Sequence, residues 1–480
     1  MIINYDSLKQ LAAEQGVKIQ DLCALAPTND PFYTGRPAER QAASWFSDLW
    51  NRFGYSAGVH LRRMHYRIVS QETPVLRPDG QPYLNTDKDW SYLNNASKWA
   101  RYLELADPAA FVDRRNPDAI VNARWPDPTG WYYEDPTPSY RVTDVESTDG
   151  YELPELPELP ELPAWLPDLP GFTVGGYDAI EQPYHIEIWC EKTTMNDVLA
   201  PLCQRYNANL ITGAGEMSIT SVVEFLQRVR AARRPARILY LSDYDPAGLG
   251  MPISVARKIE YFQRNEDAGA LDIRLQPIVL TAQQVADFKL PRVPVKDSDL
   301  RKANWQAAHG EGQVELDALE ALYPGRLAQI VNQAILLYYD PTLRRRSYET
   351  KAELQAALAQ HAQDVTDLYE AELNDNAAQY QALLAEFERT RDEFADLVRD
   401  FAPKIASYER ELADILAQRQ QLANSIADDL ARHDVDLESD EYRLPAPILP
   451  DEPAQQLYDS RRDYFAQLAT YKTQRSNGTI

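Results

Sequence analysis

Strands and helices alternate along the middle of the chain, and this alternation constrains the fold more than any other sequence feature. Between about residues 183 and 280, short apolar runs are separated by amphipathic stretches of helical period. The predicted strands are HIEIWC (185–190), NLITG (209–213), ARILYLSD (236–243) and LDIRLQPIVL (271–280). Strands separated by helices predict a parallel, Rossmann-like sheet in a doubly wound α/β domain. Functional groups in such a domain lie at the carboxyl ends of the strands.

Carboxylates stand at the ends of two of these predicted strands. Glu191 directly follows the first strand, and Asp243 and Asp245 close the third within LSDYDPAG. Because neither histidine nor thiolate accompanies these acids, they suit a hard cation, namely Mg²⁺ or in its place Mn²⁺. One or two such ions would organise attack on a phosphodiester. A single D-x-D is weak evidence by itself, since acids at strand ends are often solvated loop residues.

The spacing of the acids resembles that of a known domain. EK at 191–192 and DYDPAG at 243–248, in an unbroken β-α-β-α-β run, resemble the Toprim domain of topoisomerases, bacterial primases and some nucleases. Primases carry a cysteine zinc finger, which three scattered cysteines cannot build. Nucleases of the overcoming-lysogenization type carry an ATPase loop of the form G-x-x-x-x-G-K-S/T. GAGEMS at 213–218 has no lysine before its serine and does not match that loop.

LITGAGEMS (210–218) and SDYDPAG (242–248) also resemble the Toprim segments of the A subunit of topoisomerase VI and its meiotic double-strand-break relatives. In that family a winged helix with an R-x-x-Y-Y segment precedes the Toprim domain. HLRRMHYRIVS provides Arg62 and Arg63, with Tyr66 four residues after Arg62 and His65 in place of the first tyrosine. The resemblance covers about residues 55–120 and 183–340. It implies that Tyr66 attacks the phosphodiester, that Arg62 stabilises the developing charge, and that a phosphotyrosyl-DNA end forms.

The same helix allows plainer interpretations. The chain has 28 tyrosines, and a tyrosine on an amphipathic helix usually packs against its neighbours. His65 is either a proton shuttle or a histidine whose hydrogen bonds are satisfied on a helix face.

Residues 1–125 are predicted to be mostly helical and to hold the DNA-binding module. Apolar spacing predicts helices over 39–53, 59–70 and 89–106, and the alternation over 112–125 fits a short strand or wing. Three helices followed by β-structure favour a winged helix, although periodicity alone allows a plain helical bundle.

Prolines recur every third residue in YELPELPELPELPAWLPDLP (151–170). This pattern favours polyproline II, and we predict that 126–182 form an acidic, Pro-rich linker or insertion. The segment is either a stiff spacer or a docking strip for a partner.

After an α/β domain over 183–345, residues 346–480 are predicted to form a helical coiled-coil arm with an acidic tail. Apolar residues recur in alternating three- and four-residue steps from Phe394 to Ile426, and Pro403 should kink the helix or separate two helices. Such an arm is structural or serves oligomerisation.

The net charge of −24 is unevenly distributed. Residues 133–182 carry −11 and residues 348–480 carry −14, so the remainder sums to about +1. The rest of the chain is therefore neutral enough to approach a phosphate backbone. The acidic segments could also mimic DNA and close the site until a partner arrives.

Further charged residues are candidates for contacts beyond the three acids. Lysines and arginines that could face phosphates are Lys192, Lys296, Arg301 and Lys302. Glu315 and Asp317 could bind a second ion, although acids at a helix N-terminus explain them equally well.

The resemblance implies Mg²⁺-dependent cleavage of duplex DNA by a homodimer, with Tyr66 of one subunit acting beside the three acids of the other. Strand passage would need a separate ATPase partner. One alternative is a hydrolytic Toprim nuclease of a plasmid or phage defence system, in which metal-activated water replaces Tyr66. Another is a non-catalytic DNA-bridging protein. Without a basic-then-apolar leader or a long apolar run, the expectation is a cytoplasmic protein with no membrane segment.

Overall fold

The computed structural model describes residues 3–113, 116–123, 138–141, 162, 166–177, 180–213, 215–265, 271–297, 299, 301–394, 402–432, 444–453 and 456–477. The chain divides into two compact units. The first comprises Met1–Gly130, Gln182–Asp340 and Ile448–Ile480, and the second comprises Trp131–Glu181 and Pro341–Pro447. The Pro-rich region and the helical arm therefore share one unit, whereas the predicted order had placed them in separate segments.

The helices are α1 (Tyr5–Gln15), α2 (Pro37–Arg52), α3 (Leu61–Val69), α4 (Asp87–Tyr102), α5 (Asn196–Arg205), α6 (Ile219–Ala232), α7 (Met251–Asn265), α8 (Ala282–Asp287), α9 (Lys302–His309), α10 (Leu316–Leu322), α11 (Arg326–Ile335), α12 (Leu343–Leu368), α13 (Glu370–Phe394), α14 (Ala402–Leu430) and α15 (Tyr464–Asn477). The strands are β1 (Pro138–Arg141), β2 (Gly171–Val174), β3 (His185–Cys190), β4 (Asn209–Thr212), β5 (Ala236–Leu241), β6 (Ile273–Val279) and β7 (Tyr458–Asp459). Over the described residues, no helix offers a stretch of the length and apolarity that a bilayer crossing requires.

The first unit is built on a five-stranded sheet of order β4-β3-β5-β6-β7. β4, β3, β5 and β6 are parallel, which confirms the four predicted strands, and β7 pairs antiparallel with β6 at the edge. The chain goes from β3 outward to β4 and then returns past β3 to β5. The strand order therefore reverses between β3 and β5, which is the point at which α/β sheets open a crevice for ligands.

Helices cover both faces of this sheet. Trp189 of β3 packs with side chains of α6 and α7 on one face. Its neighbours Ile188 and Cys190 pack with side chains of α5 and α11 on the other. Every residue of β3 and β5 is buried, as expected for central parallel strands covered on both sides.

Both chain ends of the described region pack against α7. Arg257 of α7 is completely buried, where its guanidinium binds Asp30 at 3.1 Å, Glu260 at 2.9 Å and the Tyr464 hydroxyl at 2.6 Å. Asp30 belongs to the N-terminal segment and Tyr464 to α15. A buried charge of this kind is stable only because it is fully paired.

The prediction that 346–480 form an arm and tail is wrong for its last part. Strand β7 and helix α15 contribute buried side chains to the core of the α/β unit: Leu457, Tyr458, Tyr464, Leu468 and Tyr471. The acidic composition of the region concealed this, because a two-residue edge strand and one short helix carry little periodic signal.

Helices α2, α3 and α4 form a separate apolar cluster in the same unit and match the three predicted helices. Phe46, Met64 and Leu93, one from each helix, are fully buried in it. A hairpin joins α3 to α4, in which Tyr83 N–H donates to the Val75 carbonyl at 2.8 Å.

The strand or wing expected over 112–125 does not form in its described residues, 112–113 and 116–123. Phe111 and Ile120 make only isolated bridges, to Val59 and to Leu210 of β4. The Asp113 carboxylate accepts the Asn116 N–H at 3.4 Å. The alternating apolar residues thus meet β4 at one point and form no continuous ladder.

The second unit is a helical hairpin. Helix α14 runs antiparallel to α12 and α13, since Tyr408 near its start lies 3.1 Å from Thr390, and Ile415 further along accepts from Asn376 at 3.2 Å. Pro403 lies in the first turn of α14 and so separates two helices, as predicted. A second break, at Tyr369 between α12 and α13, was not predicted.

The described part of the Pro-rich region packs onto these helices. Leu162 and Leu166 contact the cluster around Tyr380 and Tyr408, and Leu169 contacts Val365 and Ile426 of α12 and α14. Residues 151–161 and 163–165 lie outside the described residues. Where it is described, the region is a layer of the second unit, with its leucines on one side, and not the free spacer of the first interpretation.

Candidate functional site

The three predicted acids lie at the switch point of the sheet. Glu191 is the first residue after β3, and Asp243 is the second residue after β5, with Ser242 between Asp243 and the strand. β3 and β5 pair in register up to Cys190 and Leu241, and the Glu191 N–H donates to the Leu241 carbonyl at 3.2 Å. The fold thus brings together carboxylates that are separated by 52 residues in the sequence.

Glu191 is buried and incompletely paired. Only 6 % of its surface is exposed. Its Oε1 accepts the backbone N–H of Asp243 in a short hydrogen bond, whereas its buried Oε2 has no hydrogen-bond partner among the residues that the structure describes. A buried oxygen of a carboxylate is normally satisfied, so this one needs an explanation.

Asp243 is held by two groups. Its Oδ1 accepts the backbone N–H of Leu316 at 2.6 Å, and its Oδ2 lies 3.2 Å from Nζ of Lys192. Tyr244 and Val314 form an isolated bridge that brings the Leu316 amide to the end of β5. This contact could not be predicted from the sequence, because the donor is a backbone amide, which every non-proline residue has.

Asp245 organises the turn that follows. Its Oδ1 accepts the N–H groups of Ala247 at 2.8 Å and Gly248 at 2.5 Å. A Cβ at position 248 would overlap the carbonyl oxygen of Asp243. The glycine of DYDPAG therefore lets the turn close over Asp243, and the turn holds Asp245 on the same side as the other two acids.

The ammonium group of Lys192 lies among the carboxylates of three acids. Its Nζ lies 3.2 Å from Asp243, 3.1 Å from Glu315 and 2.6 Å from Asp317. Glu315 and Asp317, predicted as ligands of a second ion, are thus brought to the site, where they bind this lysine. Asp317 also lies in the first turn of α10, as the helix-terminus interpretation required.

The electrostatics of the acids follow from this packing. Burial, and then the like charge of Asp243, raises the pKa of Glu191 to about 8. Burial also raises the pKa of Asp243, although the Leu316 amide and Lys192 oppose it. Burial disfavours the charge of Lys192, but its hydrogen bond to Asp317 and the charge of Asp243 together raise its pKa. The partners of Glu191 and Asp243 therefore do not fully compensate for burial and mutual repulsion, and the site favours a protonated carboxyl unless a cation is bound.

The donor chemistry at this point fits a hard divalent ion. Glu191 supplies a buried oxygen with no hydrogen-bond partner in the described part of the chain, and repulsion from Asp243 and Asp245 contributes to its raised pKa. The geometry is not that of a closed site: among the described residues, no three histidine, cysteine, aspartate or glutamate side chains are grouped so that they could hold a metal ion. Lys192 and the Leu316 amide engage both oxygens of Asp243.

Tyr66 lies on the surface of α3, with 56 % of its area exposed. Arg62 is one turn earlier on the same helix, and its guanidinium lies 5.9 Å from the centre of the Trp90 ring. Within the described part of the chain, no hydrogen bond links Tyr66 to Glu191, Asp243 or Asp245. Among the described residues of one chain, the structure therefore brings no hydrogen bond between Tyr66 and the acids that the resemblance pairs with it.

His65 is a packed residue. It is 6 % exposed, and its Nδ1 and Nε2 lie 2.7 Å from the Tyr83 hydroxyl and 3.0 Å from Oδ1 of Asn85. Its ring makes edge contacts with Trp90. Because both nitrogens are engaged, this arrangement favours the packing interpretation over a proton shuttle.

The other basic candidates differ in their distance from the acids. Arg301 donates to the Pro246 carbonyl at 3.0 Å, next to Asp245, while it also pairs with Asp299 at 2.8 Å. Lys302 pairs with Asp297 at 2.6 Å. Arg63 and Lys296 are exposed. Only Arg301 of these four contacts the loop that carries the acids.

The comparisons with known proteins give no relative for this chain. No family model matches it, and no curated protein is significantly similar to it.

Proposed function

We propose that the protein cleaves DNA in a Mg²⁺-dependent reaction. In this proposal its first unit combines a Toprim domain with a helical DNA-binding module, α2 to α4, which resembles the winged helix of the topoisomerase VI A subunit but has no wing over the described residues of 112–125. The observation that carries this proposal is the position of Glu191 and Asp243 at the neighbouring ends of β3 and β5, where one buried oxygen of Glu191 has no hydrogen-bond partner among the described residues and the charges of Asp243 and Asp245 act on it. The resemblance of EK and DYDPAG to the Toprim pattern supports the same assignment.

Glu191, Asp243 and Asp245 would hold the ion. Bound there, Mg²⁺ would neutralise the phosphate and the charge that develops on it. The site would form fully when Lys192 releases Oδ2 of Asp243, because both oxygens of that carboxylate are otherwise engaged. Arg301, whose guanidinium donates to the Pro246 carbonyl beside Asp245, would contact the DNA backbone near the same point.

Tyr66 would be the nucleophile. Its hydroxyl would lose its proton as the oxygen forms a bond to phosphorus, the bond from phosphorus to the deoxyribose oxygen would break, and that oxygen would take up a proton to become a free sugar hydroxyl. Arg62, one turn away, would stabilise the negative charge on phosphorus. Because Tyr66 is exposed and has no contact with the acids of its own chain within the described residues, the proposal includes a homodimer in which it serves the partner's acids. Strand passage would require a separate ATPase subunit.

The test is cleavage of supercoiled plasmid by the full chain in Mg²⁺, with trapping of covalent protein–DNA adducts by denaturant. The wild type should cut and yield adducts. Tyr66→Phe should lose both while retaining DNA binding, and Asp243→Ala with Asp245→Ala should lose cleavage. Tyr140→Phe is the matched control for removing one tyrosine hydroxyl, because Tyr140 lies in the second unit.

A second candidate is a hydrolytic Toprim nuclease that uses metal-activated water. The separation of Tyr66 from the acids within one chain favours it. Cleavage that persists in Tyr66→Phe and fails in the double aspartate variant would establish hydrolysis. Cleavage by neither the wild type nor any variant, with DNA binding retained, would leave a DNA-bridging role.

A further inference from the structure

Apart from the three acids, the first unit has a cleft lined by α3, α4 and the beginning of α6. It has a volume of about 910 Å³, and none of the three acids lines it. Arg62, Ser97 and Arg101 come from the helical cluster, and Ser218 and Thr220 come from the start of α6. This volume lies within the range of pockets that enclose small ligands.

Arg101 is a half-buried cation, and the negative charge of Asp113 acts on it from beyond ion-pair distance. Its Nε donates to the Ser97 carbonyl at 3.4 Å, and its guanidinium lies 4.8 Å from the centre of the Phe111 ring. It forms no ion pair with any residue that the structure describes. Burial lowers the pKa of Arg101 to about 10, and the charge of Asp113 offsets this only in part. A half-buried cation that lines a cleft without an ion-pair partner can bind an anion there.

Two further groups point to an anion at this place. Ser97 is fully buried, lines the cleft, and has a hydroxyl without any hydrogen-bond partner. The start of α6, a helix of 14 residues, also lines the cleft through Ser218 and Thr220. The first amides of a helix carry partial positive charge and donate to anions.

Two acids also line the cleft, and their charges are partly balanced. Glu216 pairs with Lys258 at 2.8 Å and accepts from the Ser254 hydroxyl at 2.6 Å. The Asp113 carboxylate accepts from Nδ2 of Asn116 at 2.8 Å. Arg62 and Arg101 therefore leave the cleft with a positive surplus.

We propose that this cleft binds the phosphate group of a nucleotide, either free or within a DNA strand, through Arg101, Arg62, the Ser97 hydroxyl and the first amides of α6. The half-buried indole of Trp90 also lines the cleft and offers a face on which a base can stack. A guanidinium and helix amides recognise phosphate in either source. The site is separate from the acidic cluster, and its occupancy needs no metal.

The experiment is calorimetric titration of the full chain in the presence of a chelator, with deoxyadenosine monophosphate and a single-stranded dodecamer as probes. Deoxyadenosine, which lacks the phosphate, is the ligand control. We expect Arg101→Met to weaken binding about tenfold or more, which corresponds to about 1.4 kcal/mol. Ser97→Ala should weaken it about threefold. Arg205→Met is the matched control, because Arg205 is an exposed arginine outside the cleft.

The outcomes separate this proposal from the cleavage reaction. Arg101-dependent binding of the monophosphate identifies a nucleotide site, and Arg101-dependent binding of the dodecamer alone identifies a strand site. Either binding result, measured with the Asp243→Ala variant, supports the proposal even if the plasmid assay shows no cleavage. Binding of neither probe, or affinities in Arg101→Met and Ser97→Ala equal to the wild type, would overturn it. Thermal melting shows that each variant is folded, and Arg101→Lys, which keeps the charge, should restore part of the affinity.

Discussion

Glu187 lies on β3 and Glu191 directly follows it, and both side chains are buried. They differ in how completely their carboxylate oxygens are paired. Glu187 receives hydrogen bonds from Trp189 at 2.9 Å and Asn209 at 3.1 Å, and a double contact from Arg228 at 2.8 and 3.0 Å. His185 lies 2.9 Å from it. Glu191 has one backbone donor and, among the described residues, no partner for its second oxygen.

The pKa values follow this difference. Burial alone would raise the pKa of Glu187, but Arg228 outweighs it and lowers the pKa well below its usual range. No cation pairs with Glu191, and its pKa rises to about 8. Where a buried carboxylate is fully paired, it is part of the scaffold. Where it is crowded by like charges and has an oxygen without a partner among the described residues, its environment is the kind found at functional sites.

The largest expected effect is on cleavage. Glu191→Gln preserves shape and the hydrogen bond from Asp243 but removes the charge that would bind the ion. We expect plasmid cleavage to fall about 10³-fold or more, as when an electrostatic group that stabilises a transition state is removed. The melting temperature should stay the same or rise, because repulsion with Asp243 is relieved. A variant that cuts normally would remove Glu191 from the site.

The next effect is on stability. Glu187→Gln leaves Arg228 buried without its partner, and breaking such a pair lowers the free energy of unfolding by about 3–5 kcal/mol. Urea unfolding of the two variants side by side measures the contrast. If Glu187→Gln were as stable as Glu191→Gln, the distinction between a scaffold carboxylate and a site carboxylate would not hold.

A smaller effect is expected at Lys192. Its ammonium neutralises Asp243, Glu315 and Asp317, and so competes with a metal ion. Lys192→Met should increase Mn²⁺ affinity about tenfold in a calorimetric titration, since removing a cation about 3 Å from a ligand oxygen favours another cation there. Lys302→Met, at an exposed pair with Asp297, is the control. A decrease in affinity would show that Lys192 positions the ligands.

The smallest effect is a pH dependence of stability without metal. The pKa of Glu191 is raised from 4.5 to about 8, so the folded state holds a proton that the unfolded state releases between these values. Stability from this group is therefore present below pH 4.5 and is lost as the pH rises towards 8. The melting temperature of the wild type in chelator should fall by a few degrees more than that of Glu191→Gln between pH 5.5 and 8.5. Parallel curves would contradict the raised pKa.

The acidic C-terminal region contains two elements of the α/β core, and this limits which deletions can be used to test it. Deleting 348–480 to test whether acidic segments mimic DNA would also remove β7 and α15, whose Tyr458 and Tyr471 are buried in the α/β core. Such a deletion would unfold the first unit. A deletion confined to 348–440 leaves these elements in place, and higher DNA affinity at low salt would then support the mimicry.

The sequence by itself determined the local elements and the chemistry of the acids. Periodicity and strand-end positions are local properties, so β3, β5, α2, α3 and α4 could be predicted, and with them Glu191, Asp243 and Asp245 at one edge of a parallel sheet. Only the tertiary structure decided the rest. The amide of Leu316 on Asp243, the ammonium of Lys192 and the half-buried charge of Arg101 arise where distant segments meet, and burial and pairing depend on such long-range contacts.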